Sequence, residues 1–568
     1  MGNFVMMPKM GMTMTEGVIV RWLVSEGDDI KKGDNIFEVE TDKLSIEVDC
    51  LVTGRVLKLY YEAGATVPIN TPVAYIGAEG ERIPEPSEAA AAEADTPEAQ
   101  THEAPEKQEA SQPDAAAYDY DLAVVGAGPG GYVAAIRAAQ LGAKVAVIER
   151  SEVGGTCLNR GCIPTKALYH SATQYRNMLK CETFGLSASN MAFDWGKVMA
   201  RKNNVVKKLK DGVNGLLKKN GIILIKGSAK VADGHTVVVD GKSVSAKYIL
   251  LATGTKPARV LKDMDGIEVL TTDTALELKG LPARMAIVGG GVIGMEMAGI
   301  LAAFSVDVTV IELMPTILPN VDMEVVKELS GLLLKQGVKI MTGVSVQSAR
   351  REEGACVLQL SDGRTVICDQ VLEAVGRSVV DDAFAHLGLK RDKKGFVTVS
   401  DADFKTSMDS IYAIGDITGR LQLAHVASEQ GIAAVENMFE GKKASLHTVP
   451  SCIFTYPEIA TVGLTEEQAK AQDIPYKTSK FPFMANGKAL TTGETEGFVK
   501  VIADKRWGEI LGVHIIGPEA SNLIAEAVVA MDTECTVESF ASVIHAHPTV
   551  AEAVKEALLG AGTGSIHF

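Results

Sequence analysis

Apolar and polar side chains alternate along the start of the chain, and the pattern occurs twice. Gly17-Val18-Ile19-Val20-Arg21-Trp22, with Gly27 after it, matches Gly54-Arg55-Val56-Leu57-Lys58-Leu59, with Gly64 after it, and the match reaches Asn35-Ile36 against Pro72-Val73. Side chains on a strand point to opposite faces in turn, so each copy reads as short half-buried strands between turns. Phe37-Glu38-Val39-Glu40 and Leu44-Ser45-Ile46-Glu47-Val48 alternate as two further strands, with Thr41-Asp42-Lys43 at the tip where a tight turn belongs. Two such copies predict a small pseudo-symmetric all-β sandwich over residues 1–79.

The alternation stops at residues 80–117, where Ala, Glu and Pro dominate and ten acids stand against Arg82 and Lys107. Such a stretch cannot build a core and repels itself, which predicts a flexible linker. From Tyr118 to about residue 445, apolar strands alternate with helical stretches in the βαβ manner. Strand-rich segments then return, and helices close the chain from Ser521 onward.

Two of the strand-to-helix passages share one design. Asp121–Val125 runs into Gly126, Gly128 and Gly131, then an Ala-rich helix, then the strand Lys144–Ile148 and Glu149. Met285–Val288 runs into Gly289, Gly291 and Gly294, then a helix, then Val308–Ile311 and Glu312. The first glycine and the acid are 23 positions apart in both, 126 to 149 and 289 to 312. The glycines let backbone N–H groups and a helix N-terminus approach a pyrophosphate, and the acid accepts from a ribose hydroxyl. Two Rossmann-like dinucleotide domains are expected. A carboxylate at Glu312 repels a 2′-phosphate, which favours NAD over NADP.

Composition sharpens this. The 568 residues exceed one hydrophobic core, so several domains are expected. The net charge of −16 argues against nucleic acid as a partner, because neutralising phosphates needs excess Lys and Arg. Met285–Phe304 is apolar and as long as a membrane span, but five glycines and Glu296 make it a buried strand, turn and helix, so no span is expected. Met1–Lys9 has no charged stretch followed by an apolar one, and Met6 stands where myristoylation wants Ser or Thr, which points to the cytoplasm.

Of eight cysteines only Cys157 and Cys162 stand close together, as expected in a reducing compartment with one special pair. No second pair at ligand spacing exists for zinc, and no metal is expected. On a regular helix, residues five apart are separated by about 7.5 Å along the axis, too far for a disulfide. A bridge therefore requires a distorted turn, which Gly161 makes possible; two independent buried cysteines remain the alternative. Helix N-terminal N–H groups and Lys166 are placed to lower a thiol pKa.

The segment Gly154-Gly155-Thr156-Cys157-Leu158-Asn159-Arg160-Gly161-Cys162-Ile163-Pro164-Thr165-Lys166 resembles the redox-active disulfide of dihydrolipoamide dehydrogenases, within the pyridine nucleotide-disulfide oxidoreductases. The resemblance runs over Tyr118–Phe568 and includes Ala252-Thr253-Gly254, Ala374-Val375-Gly376-Arg377, Tyr412-Ala413-Ile414-Gly415-Asp416, Leu423-Ala424-His425 and His545-Ala546-His547-Pro548-Thr549-Val550-Ala551-Glu552. Residues 1–79 resemble lipoyl domains, with Lys43 at the attachment turn; biotin carriers flank that lysine with Met, which this chain lacks there. One departure is Ser378-Val379 after Arg377, where such sequences have Pro-Asn, and it bears on local loop shape.

The resemblance implies a multidomain α/β protein. A lipoyl domain (1–79) and linker (80–117) precede an FAD-binding domain in two parts (118–270 and 386–445), an NAD-binding domain (271–385) and an α+β dimer-interface domain (446–568). FAD would lie on Gly126, Gly128, Gly131, Glu149, Thr156, Lys166, Thr253, Gly254, Asp416 and Ala424, and NAD on Gly289, Gly291, Gly294, Glu312 and Gly376. Cys157 and Cys162 would form the disulfide, Lys166 would pair with Glu296, and His547 would be the general base oriented by Glu552, carried on a helix begun at Pro548. Lipoate would be covalent on Lys43. Partners implied are a second copy of the chain and the lipoyl domains of a 2-oxo-acid or acetoin dehydrogenase complex. The rival readings are a glutathione- or mercury-type disulfide reductase, and residues 1–79 acting mainly as a tether.

Overall fold

The computed structural model describes residues 3–7, 16–31, 33–40, 45–50, 52–69, 71–77, 81, 118–261, 264, 266–444 and 448–568. They fall into two units, 1–114 and 115–568. In the smaller unit the repeat becomes two four-stranded sheets. One orders Asn3–Met6, Pro72–Gly77, Gly54–Leu59 and Asp29–Ile30; the other orders Ser45–Asp49, Asn35–Glu40, Glu16–Trp22 and Thr66–Pro68. Each copy lends a short strand to the other: Glu16–Val18 pairs with Thr66–Pro68, and Asp29–Ile30 with Gly54–Arg55. The hydrogen bonds repeat as well, Gly27 N–H to the Val56 carbonyl at 2.8 Å and Gly64 N–H to the Ile19 carbonyl at 2.7 Å. Both glycines turn the chain at positive φ, +100° and +90°, which a Cβ would resist.

Ile19, Phe37, Val39, Val56, Val67 and Ile76 fill the space between the sheets. Glu40 stands opposite Ser45 in the hairpin, so the strands converge where the turn is expected. Thr41–Leu44, with Lys43, lies outside the described residues, as does most of the linker stretch 80–117.

In the larger unit, buried strands are apolar almost throughout, as parallel strands covered on both faces must be. Ile223–Lys226, Val145–Glu149, Tyr120–Val125, Lys242–Leu251 and Ile411–Ala413 run parallel in one sheet, whose last strand comes from far downstream. A second parallel sheet orders Val269–Thr271, Gln370–Glu373, Arg284–Val288, Asp307–Ile311 and Lys339–Met341. Beside it lies an antiparallel sheet of Val346–Glu352, Ala355–Leu360 and Thr365–Cys368. A five-stranded antiparallel sheet, Ser451–Ile453, Glu458–Gly463, Ile510–Gly517, Phe498–Asp504 and Tyr476–Pro482, carries the helices Ala520–Asp532 and Glu552–Ala561. The apolar run is the strand Arg284–Val288 and the helix Val292–Ala303, buried on nearly every side. Among the described residues no helix is long and apolar enough to cross a membrane.

One buried ion pair joins the second parallel lobe to the antiparallel sheet. Lys500 Nζ lies 3.0 Å from Asp322, with the two side chains 1% and 0% exposed, and reaches Glu466 at 2.6 Å. Asp322 also accepts the Glu324 N–H at 3.1 Å, capping the helix Met323–Lys335. Removing one partner leaves the other charge buried alone. Lys500→Ala is expected to cost about 3–5 kcal/mol, read from urea melts of the holoenzyme. A Lys500→Met/Asp322→Leu double variant should lose less than the sum of its single variants, because neither charge is then stranded.

Candidate active site

The two glycine loops use their glycines alike. A Cβ on Gly126 would collide with the Ala252 carbonyl and one on Gly131 with the Gly126 carbonyl; in the second copy, Gly289 meets the Ala374 carbonyl and Gly294 the Gly289 carbonyl. The outer glycines are therefore demanded by the chain's own packing. The middle ones are different: Gly128 has only the Gly155 Cα at 4.0 Å, and Gly291 has nothing within 4 Å. Each is the N-cap of its helix, Pro129–Gln140 or Val292–Ala303, without a side-chain cap. The first-turn N–H groups thus have no side-chain cap, and the middle glycines leave room beside them, which fits a pyrophosphate approaching the backbone.

Glu149 accepts the Ala127 N–H at 2.8 Å and the Ser151 N–H at 2.7 Å, and Glu312 accepts those of Gly290 and Met314 at 2.5 and 2.6 Å. Each acid thereby ties its loop to the end of its strand.

Thr253, Gly254 and Asp416 converge at the end of the first sheet. Thr255 donates its hydroxyl to Asp416 at 2.7 Å and accepts Arg377 Nε at 2.7 Å, and Arg377 Nη2 reaches the Thr255 carbonyl at 2.7 Å. Thr253 Oγ1 donates to the Val380 carbonyl at 2.6 Å. The departure after Arg377 forms a strand: Arg377–Val379 pairs antiparallel with Thr255–Pro257, Ser378 opposite Lys256. Gly376 precedes it at φ +121°. Ala424 opens the helix Ala424–Glu440. The Arg377–Thr255–Asp416 chain was not foreseen: Arg377 and Asp416 end two of the quoted motifs and Thr255 adjoins a third, but nothing in the sequence joins them.

The thiol segment has the break that a bridge requires. Thr156 and Cys157 lie in the helix Gly155–Arg160; Gly161, at φ −145° and ψ −111°, interrupts it, and Cys162 begins the helix Cys162–Leu179. Both cysteines are thiols. The Cys157 thiol hydrogen-bonds to Cys162, which holds Cys157 protonated and well above its usual pKa. The same bond brings Cys162 down to about 7, with burial opposing and the Lys166 ammonium assisting. In the dithiol state the negative charge therefore belongs on Cys162.

Lys166 lies 2.9 Å from both oxygens of Glu296, which is only 4% exposed and also accepts the Phe454 N–H at 3.0 Å. The Phe454 ring sits 4.5 Å from the ammonium. Glu296 thus faces the protein interior. Phe454 itself was missed, since an aromatic next to a strand reads as core.

His547 Nδ1 lies 3.0 Å from Glu552 Oε1, and Glu552 Oε2 accepts the Thr549 N–H at 2.9 Å. Burial opposes ionisation of Glu552, but those two partners outweigh it and hold the carboxyl below its usual range. The neighbouring His545 is 6% exposed and occupied on both nitrogens, by Glu526 at 2.7 Å and the Val543 carbonyl at 3.1 Å; His547 is 77% exposed. The helix expected from Pro548 starts instead at Glu552. Residues 547–551 form a turn held by the Thr549 bonds to Glu552 and, through its hydroxyl, to the Ala546 carbonyl at 2.8 Å. Among the described residues, the hydrogen bonds of His547 and Glu552 do not reach the thiol segment.

The chain matches the family model of pyridine nucleotide-disulphide oxidoreductases over residues 120–431 and that of their dimerisation domain over 449–558. A model of biotin and lipoyl domains, described as biotin-requiring enzyme, matches 3–76. The dihydrolipoyl dehydrogenase of Bacillus subtilis is 42% identical over 478 residues, covering 80% of this chain and 100% of the relative. The mitochondrial dihydrolipoyl dehydrogenase of Schizosaccharomyces pombe is 38% identical over 473 residues, covering 79% and 91%. Among solved structures, LpdA of Mycobacterium tuberculosis superposes with a TM-score of 0.72 at 27% identity, covering 77% and 98%. The HOCl-induced flavoprotein disulfide reductase RclA of Escherichia coli gives 0.70 at 28%, covering 77% and 99%.

Proposed function

The chain belongs to the pyridine nucleotide-disulphide oxidoreductases, and from that premise we propose that it is a dihydrolipoyl dehydrogenase, converting a dihydrolipoyl group and NAD⁺ to a lipoyl group, NADH and a proton. The observation that carries the reading is the broken helix that sets Cys157 against Cys162, with the Lys166–Glu296 pair beside them. His547 Nε2 takes the proton of a substrate thiol, while Glu552 holds Nδ1 and orients the ring. The thiolate attacks Cys157 Sγ of the oxidised pair, and Cys162 leaves as a thiolate. A leaving thiol of low pKa departs faster, and Cys162 at about 7 is the better of the two. The second substrate thiol then displaces Cys157, which departs with a proton.

FAD would be held by Gly126, Gly128, Gly131, Glu149, Thr156, Lys166, Thr253, Gly254, Asp416 and Ala424, and NAD by Gly289, Gly291, Gly294, Glu312 and Gly376. When bound, the flavin would supply two-electron transfer between the dithiol and NAD⁺.

Residues 1–79 carry lipoate on Lys43, and the Ala-, Glu- and Pro-rich stretch 80–117 separates them from the rest of the chain in sequence. The partners are a second copy of the chain and the lipoyl domains of a 2-oxo-acid or acetoin dehydrogenase complex, in the reducing cytoplasm. NADH-driven reduction of free lipoamide should exceed that of glutathione disulfide by about 10²-fold or more; the reverse preference would move the chain to another branch of the family. Lys43→Arg should abolish lipoylation, seen by mass, and leave turnover of free dihydrolipoamide within about twofold of wild type. A large loss on free substrate would sink the modular reading.

A further inference from the structure

A second pair of cysteines stands outside the site described so far. Cys356 and Cys368 occupy adjacent strands of the antiparallel sheet in the second nucleotide lobe, directly opposite one another in the register. Directly opposed residues share one face, with Cα atoms about 4.5–5.5 Å apart, inside the range that a disulfide spans. Both are buried, at 1% exposure each. The strand Thr365–Cys368 is an edge strand, paired within its sheet only with Ala355–Leu360. It borders a cavity of about 360 Å³ whose lining includes Cys368, Ile367, Met285, Thr309, Lys339 and Met341, so space for a small reagent adjoins the edge strand. The next residue, Asp369, accepts the Arg284 N–H at 2.8 Å and its guanidinium at 2.6 Å, and Arg284 starts the strand that delivers Gly289.

We propose that Cys356 and Cys368 are a second dithiol–disulfide couple of this chain, independent of Cys157 and Cys162 and oxidised by small neutral hydroperoxides. One sulfur takes the outer oxygen of hydrogen peroxide, giving a sulfenic acid and water. The opposing thiol then displaces water from that sulfur and forms the S–S bond. In sum, two thiols and one hydrogen peroxide give one disulfide and two waters, and a dithiol reverses the change. Burial and the neighbouring Cys356 push Cys368 up to about 12, so the couple is slow at neutral pH and responds to sustained oxidant. Slow oxidation suits a couple that must stay reduced while the Cys157–Cys162 pair turns over.

The test uses the full FAD-loaded chain exposed to excess hydrogen peroxide, alkylated and digested with trypsin without reductant. Cleavage after Arg351, Arg364 and Arg377 releases Glu352–Arg364 with Cys356 and Thr365–Arg377 with Cys368. The expected product is these two peptides linked, lighter by two hydrogens than their sum, lost on treatment with dithiothreitol and absent from Cys368→Ser. A Cys157→Ser/Cys162→Ser variant should form the link at a rate within about twofold of wild type; failure to form it there would overturn the independence. Two peptides that stay separate, alkylated or oxidised singly, under an exposure that links them in the guanidinium-unfolded chain, would overturn the couple itself.

Discussion

Cys162→Ser is expected to leave a yellow protein that NADH still reduces but that oxidises dihydrolipoamide at least about 10³-fold more slowly. The loss is large because Cys162 is both the leaving group of the exchange and the seat of negative charge, its pKa brought to about 7 by the Cys157 thiol and Lys166. A serine hydroxyl neither forms the bridge nor carries charge at neutral pH. The flavin is expected to stay because the cradle proposed for it rests mainly on the Gly126–Gly131 loop, tied down through Glu149, and on Asp416, held in the Arg377–Thr255–Asp416 chain. The same geometry sets a pH signature. In the reduced enzyme, alkylation of Cys162 should inflect near 7. Lys166→Met removes a cation that favours the thiolate, so the inflection should move up and the thiolate fraction at neutral pH should fall. A colourless Cys162→Ser protein would show that the thiol helps hold the cofactor.

Mixed dimers of Cys157→Ser and His547→Gln chains should recover close to half the wild-type activity per dimer, although each parent homodimer is nearly inactive. The dimerisation-domain match over 449–558 motivates the assembly, and the state of His547 motivates the sharing. It is 77% exposed, its partner is Glu552, and the nearby apolar side chains Val543 and Ile544 are 52% and 92% exposed. If the partner subunit completes each site, one site of a mixed dimer collects both lesions and the other is intact. If each chain completes its own site, every site carries one lesion and the mixture stays inactive. Separate tags isolate the mixed species, and flavin content confirms folding. An inactive mixed dimer with normal flavin would overturn the shared site.

Legible in the residues alone were the features that depend on neighbours in sequence. The alternation of the repeat encodes two strands, and the structure places them in opposite sheets with the same hydrogen bonds. The glycine spacing encodes two loops, because a turn, a helix start and the following strand are all local. The apolar run Met285–Phe304 marked the helix that carries Glu296 as buried, since a helix apolar all round is a core helix. Periodicity does not report which distant group meets that face.

The pairing of Lys166 with Glu296, the Phe454 ring over the ammonium, the Arg377–Thr255–Asp416 chain and the Lys500–Asp322 pair each join residues from separate elements. Cys356 and Cys368 read as scattered until a hairpin register set them opposite. The break at Gly161 was permitted by the sequence, but the surrounding fold selected it, as it selected Glu552 over Pro548 as the start of the last helix. Long-range packing decides such contacts, because a side chain's face follows from its neighbours while its partner follows from how whole layers come together.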